Sequence, residues 1–213
     1  MRAVIIDFCD TLFPTTQFLN TYGLLELQPG YSNALASLLS VALTVTGGNV
    51  FLVSCSSTGW IEGCVSRYLS PEVAQLVSKC QIRLVPEAHM RLLGPRRKEP
   101  TILSIVSELY VSSLQSGQSI IYTPTAKHGP EDTAVATSLF DAPKPGKKPH
   151  ALFDDSVELS VVLVGDLAED LAPGDRVQSV VPGSAVRTWK FLESPSCDQL
   201  TEQQLQLSLA LAS

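Results

Sequence analysis

The chain has 213 residues, 45% of them apolar, and carries a formal charge of −6 with a pI near 5.0. That length supports one well-packed domain, and an acidic balance argues against nucleic acid or an anionic membrane surface as the main partner, since both call for a basic face. A small anionic substrate stays open, because one local basic pocket suffices for it.

No apolar run reaches membrane-spanning length, and the first residues enter a strand pattern with no basic and apolar leader, so a soluble cytoplasmic protein is expected. Five cysteines (Cys9, Cys55, Cys64, Cys80 and Cys197) form no C-x-x-C pair and no zinc-like grouping with His89, His128 and His150. Reduced, mostly buried thiols are the expectation. Cys9 and Cys55 are the exception to weigh, because both fall at the ends of strands expected to be neighbours, where a redox link could form.

The chain opens on Ala3-Val4-Ile5-Ile6, which runs directly into Asp7-Phe8-Cys9-Asp10-Thr11-Leu12-Phe13-Pro14-Thr15-Thr16. A β-branched apolar run ending in acids is how a buried parallel strand delivers a carboxylate to the carboxyl edge of a sheet. Residues 24–29 read as irregular. Apolar residues at 31, 34, 35, 38, 39 and 42 then predict a crossover helix that Gly47-Gly48 stops.

A second strand, 49–53, ends in Ser54-Cys55-Ser56-Ser57; helices follow over 60–69 and from Ser70-Pro71 to about 79, then a strand over 81–85. The most basic stretch, residues 91–103, places Lys98 just before a helix over about 100–114. A strand at 119–122 runs into Thr123-Pro124-Thr125, with Glu131 and Asp132 opening the next helix. Residues 141–150 are rich in proline and lysine and read as a linker. Val161-Val162-Leu163-Val164-Gly165-Asp166 forms another strand with a carboxylate at its end, and the helix after it is expected to be cut by Pro173-Gly174. Residues 186–213 give a last strand, a capped start at Ser196 and an amphipathic helix to about 210.

The first motif resembles that of the haloacid dehalogenase-like (HAD) phosphatases, an apolar strand followed by D-x-D-x-T, at every fixed position except the second aspartate, which here is Cys9. The string DFCDTLFPTT is closer still to a protist and plant branch whose members carry DFDDTLFPTT. Gly59-Trp60-Ile61-Glu62 and Lys190-Phe191-Leu192-Glu193-Ser194-Pro195-Ser196 are similar to two further strings of that branch. The resemblance covers about 1–140 and 186–213, leaving 141–185 as an apparent insertion in a single domain.

The resemblance implies a three-layer α/β/α Rossmann-like sandwich with a central parallel sheet and no large cap. It implies Asp7 as the nucleophile toward phosphorus, Ser54 and Lys98 (Arg97 the nearest competitor) as holders of the phosphate, and a Mg²⁺ site of Asp7, the Cys9 carbonyl and Asp166. Cys9 takes the place of the general acid and base, and a neutral thiol serves poorly there. The acid expected near Thr123 to Thr125 is also missing. Both departures touch catalysis and spare the core. The expected function is therefore a pseudophosphatase with a phosphate-sized pocket that acts as a binding or scaffold protein. The alternative is a Mg²⁺-dependent phosphatase working through an aspartyl phosphate on a protein or other large phosphorylated substrate. A small-molecule binding module without phosphate is the third reading.

Overall fold

A computed structural model describes residues 1–24, 26–115, 152–154 and 156–213. Five strands make one sheet: β1 (Arg2–Asp7), β2 (Val50–Ser54), β3 (Gln81–Leu84), β4 (Leu159–Gly165) and β5 (Ser184–Lys190). All pairings are parallel, in the order β3-β2-β1-β4-β5. Val4 lies opposite Val50 on one side of β1 and Val162 on the other. The three inner strands are buried along almost their whole length, which is why they read as unbroken apolar runs and not as alternating ones.

Side chains on the two faces of the sheet enter separate cores. Val4, Ile6, Val50, Leu52, Val162 and Val164 face one layer, made of α2 (Pro29–Thr46), α3 (Thr58–Tyr68), α4 (Pro71–Val77) and α9 (Cys197–Ala212). Ala3, Ile5, Phe51, Val53, Val161 and Leu163 face the other, made of α6 (Glu99–Gln115) and α8 (Pro173–Val180). The molecule is thus a three-layer α/β/α sandwich. Burying each such side chain stabilises the fold by about 1.5–3 kcal/mol relative to exposure, so this two-sided burial fixes which way the helices lie.

Local chemistry sets the helix ends. Ser57, Ser70 and Ser196 each accept an N-terminal amide with the side chain, and Gln199 completes a capping box with Ser196. Gly47 ends α2 in the left-handed conformation, at φ 63°.

Two short helices escape the sequence pattern, α1 (Thr15–Asn20) and α5 (Glu87–Leu92), and the short helix expected after β4 is α7 (Ala168–Leu171). Pro173 does not simply cut a helix; it stands at the first position of α8, where its missing N–H costs nothing. Residues 159–185, part of the expected insertion, supply β4, α7 and α8, so that stretch carries the strand beside β1. The strand expected at 119–122, the helix at Glu131-Asp132, Thr123 to Thr125 and the linker at 141–150 lie outside the described residues. Among the described residues, no inserted domain stands between β1 and β2 or between β2 and α6, and no helix is long and apolar enough to cross a membrane.

Candidate active site at the carboxyl edge of the sheet

The chain leaves β1 toward β2 on one side and β4 lies on the other, so the carboxyl ends of β1 and β4 border the point where strand order reverses. Ligand sites in open parallel sheets gather at such points. Here β1 ends in Asp7, and Asp166 follows β4 directly. Each is 5% exposed.

Lys98 comes from the opposite direction, at the start of α6. Its ammonium lies 2.9 Å from Asp7 Oδ1 and 2.8 Å from Asp170 Oδ1 on α7. Burial alone would lower the pKa of this lysine; the carboxylates of Asp7 and Asp170 outweigh that and raise it, so Lys98 is a fixed cation. Arg97, its competitor in the sequence, is only half-buried and is directed to Cys55 and not to Asp7.

Asp7, Asp166 and Asp170 each present a carboxylate oxygen, the three within 4.8 Å of one another. Among the described residues no other group of acids, histidines and cysteines is placed to share a metal ion. One ammonium faces three carboxylates. Burial, opposed by Lys98 and reinforced by Asp170, pushes Asp7 up to about 7, and burial with the charge of Asp170 pushes Asp166 up to about 6.

Asp170 Oδ2 is buried and meets no hydrogen-bond donor among the described residues. These hard oxygen donors, short of positive charge and with one unused acceptor, fit a divalent cation. The three oxygens lie close enough together that one such ion could reach them all. A cavity of about 10 Å³, lined in part by Asp7, Lys98 and Asp170, lies against the cluster, at the lower limit for one water. The larger cleft, about 310 Å³, lies between β3, α5 and α6 and includes none of these groups.

Asp170 depends on Gly165. A Cβ at that position would stand 2.9 Å from Asp170 Cβ, an atom too close to the backbone to swing aside. We expect Gly165→Ala to push α7 off the end of β4 and to destabilise the fold by about 1–3 kcal/mol, read as a lower urea midpoint. An unchanged midpoint would mean that α7 is not held this tightly.

The turn after β1 is built around Asp10, a left-handed residue at φ 54°. Leu12 and Phe13 amides both donate to the Phe8 carbonyl at 3.0 Å, and the Asp10 amide donates to the Phe13 carbonyl at 2.7 Å. Asp10 Oδ1 accepts from the Thr16 amide at 2.8 Å and Oδ2 from the Thr16 hydroxyl at 2.6 Å. From behind, Tyr31 donates to the Leu12 carbonyl and Gln204 to that of Thr11. Asp10 therefore holds the turn.

Cys9 stands half-buried on this turn, its Sγ 3.5 Å from Ser56 Oγ and 4.0 Å from Ser54 Oγ. Burial pushes its thiol above the ordinary value, so it is neutral at physiological pH. Ser54 is fully buried, and its hydroxyl already accepts the Ser56 amide at 3.0 Å. All five cysteines are free, and Cys9 and Cys55 form no disulfide.

The structure thus brings Asp7, Lys98 and Asp166 together and puts Cys9 and Ser54 beside one another at the same edge. The sequence left open whether Asp170, four residues after Asp166, completes the metal site; here its carboxylate stands with those of Asp7 and Asp166. Sequence reasoning missed Glu99, whose ion pair with Arg176 spans 77 residues. Compared with models of protein families, with curated proteins and with solved structures, the chain matches none.

Proposed function

We propose that this chain is a HAD-like protein that binds a divalent cation, Mg²⁺ by preference, together with a phosphorylated ligand, and that its turnover is crippled at the acid–base position. The observation that carries this reading is the cluster of Asp7, Asp166 and Asp170 beside a single buried lysine that pairs with Asp7 and Asp170. Asp7, Asp166 and Asp170 would hold the cation, which when bound would screen the charge of a phosphoryl group. Asp7 would be the nucleophile, and the contact with Lys98 opposes the rise that burial gives its carboxyl.

Two steps suffer. When an Asp7 oxygen bonds to phosphorus and the P–O ester bond breaks, the departing ester oxygen needs a proton, and the water that then hydrolyses the aspartyl phosphate must give one up. The neutral thiol of Cys9 is too weak an acid for the first and no base for the second. With no inserted domain over the edge among the described residues, the site suits a protein or another large phosphorylated partner better than a small metabolite. The assembled carboxylates also favour a second reading, a slow Mg²⁺-dependent phosphatase.

The test is an aryl phosphate assay with and without Mg²⁺, run beside Mn²⁺ binding, on the parent and on Asp7→Asn. The reading expects Mn²⁺ binding in the parent that weakens at least ten-fold in Asp7→Asn, with turnover at or near background in both. Brisk Mg²⁺-dependent turnover that Asp7→Asn abolishes would establish the phosphatase instead. A parent that binds no Mn²⁺ would overturn the metal centre.

A further inference from the structure

Lys98 rides on an exposed turn. Residues 91–96 are all exposed, and a single 3-10 turn, Gly94–Arg96, joins α5 to α6. A buried ammonium that must meet two carboxylates at 2.8–2.9 Å needs a better anchor than that. The next residue supplies it. Glu99 has a side chain only 9% exposed, although glutamates are almost never buried unless paired. Its Oε2 accepts Arg96 Nε at 2.6 Å, and Oε1 accepts Arg96 Nη2 at 2.9 Å and also Arg176 Nη1.

Arg96 belongs to the turn itself. Arg176 belongs to α8, which is fastened to the sheet: Val177 is fully buried, and a Cβ on Gly174 would meet Val186 and Thr188 of β5 at 3.4 Å. Consecutive residues therefore make oppositely directed ion pairs with one segment of chain, Lys98 inward to Asp170 and Glu99 outward to Arg176. A slide of the turn along α7 and α8 would break both.

We infer that Glu99, through Arg96 and Arg176, is a positioning residue that sets the Lys98 ammonium at the phosphate place of the site, an inference that rests on the function proposed above. Asp7 is carried by β1, Asp166 stands directly after β4 and Asp170 is carried by α7, none of them on the turn that this clamp holds. Loss of the clamp therefore moves the cation and spares the metal ligands. A helix-end acid with a merely structural role would lower stability and leave both affinities of the folded protein alone.

The experiment measures calorimetric affinity for inorganic phosphate in saturating Mg²⁺, and separately Mn²⁺ affinity. The proteins are the parent, Glu99→Gln, Arg176→Gln, Arg176→Lys, and Arg83→Gln as a control that breaks the remote pair with Glu108. We expect phosphate binding about ten-fold weaker in Glu99→Gln and Arg176→Gln, by analogy with the loss of an outer support of a bound ion. Mn²⁺ affinity changes far less than phosphate affinity, because the metal ligands keep their places on the sheet edge, Arg176→Lys recovers most of the loss, and the control matches the parent. Arg176 has a side chain 56% exposed, so its variants keep the question answerable should Glu99→Gln fold poorly. Unchanged phosphate affinity in both Gln variants, beside a parent that binds phosphate, overturns the positioning role alone. A parent that binds neither probe overturns the proposed function, and the inference with it.

Discussion

Lys98→Met is expected to be the most destabilising single substitution at the carboxyl edge, costing about 3–5 kcal/mol at neutral pH. Lys98 is 7% exposed along its side chain and both its partners are 5% exposed, so methionine fills the space yet strands buried carboxylates without a counter-charge. Asp7 is already pushed up to about 7 with the lysine present. Without it the folded-state pKa climbs further above the unfolded value, so the folded state holds more protons than the unfolded one. Parent and variant share the penalty as pH rises from about 4 to 7; above that the parent's Asp7 is ionised while the variant's penalty keeps growing up to its higher folded pKa, so the gap between them opens there. Urea midpoints of parent and variant at pH 5 and pH 8 check this: the gap is small at pH 5 and large at pH 8. Millimolar Mg²⁺ should narrow it at pH 8 if the trio binds the ion. A variant as stable as the parent at pH 8 would show that the carboxylates find other compensation, and the single-cation description of the site would fall.

The parts of this site that could be read ahead of the structure are those where one residue type and one local pattern coincide. Val4 to Asp7 announced both a buried strand and its terminal carboxylate, because strands buried on both faces carry no polar alternation to blur the signal. Lys98 before a helix start was legible in the same way. Asp166 was harder, since its strand had to be placed beside β1 across a long interval, and only pairing such as Val4 with Val162 decides that. Pro173-Gly174 misled because proline marks a break in a helix and the first turn of one equally well; here it opens α8. Glu99 gave no signal, since a glutamate opening a helix is ordinary first-turn chemistry, and only Arg176 across the fold turns it into a clamp.

Cys9→Asp is expected to raise phosphatase turnover about 10²–10⁴-fold over the parent, the usual worth of a positioned general acid and base. The argument is local. The Asp10–Thr16 bonds and the Tyr31 and Gln204 contacts hold the turn without using the Cys9 side chain. A carboxylate at position 9 would find the Ser54 and Ser56 hydroxyls, now 4.0 and 3.5 Å from the thiol, within reach as donors. Cys9→Ser supplies the comparison, because a hydroxyl keeps the polarity and has no titratable acid in range. It should match the parent if the neutral thiol contributes nothing. The assay uses an aryl phosphate in Mg²⁺, with Mn²⁺ binding as the check that each variant keeps its metal centre. A Cys9→Asp protein that folds and binds Mn²⁺ yet gains nothing would place the defect elsewhere, with Ser54 next in line, because its hydroxyl is fully buried and already bonded to Ser56. A gain confined to Cys9→Asp would mean that a single side chain separates the parent from a working hydrolase.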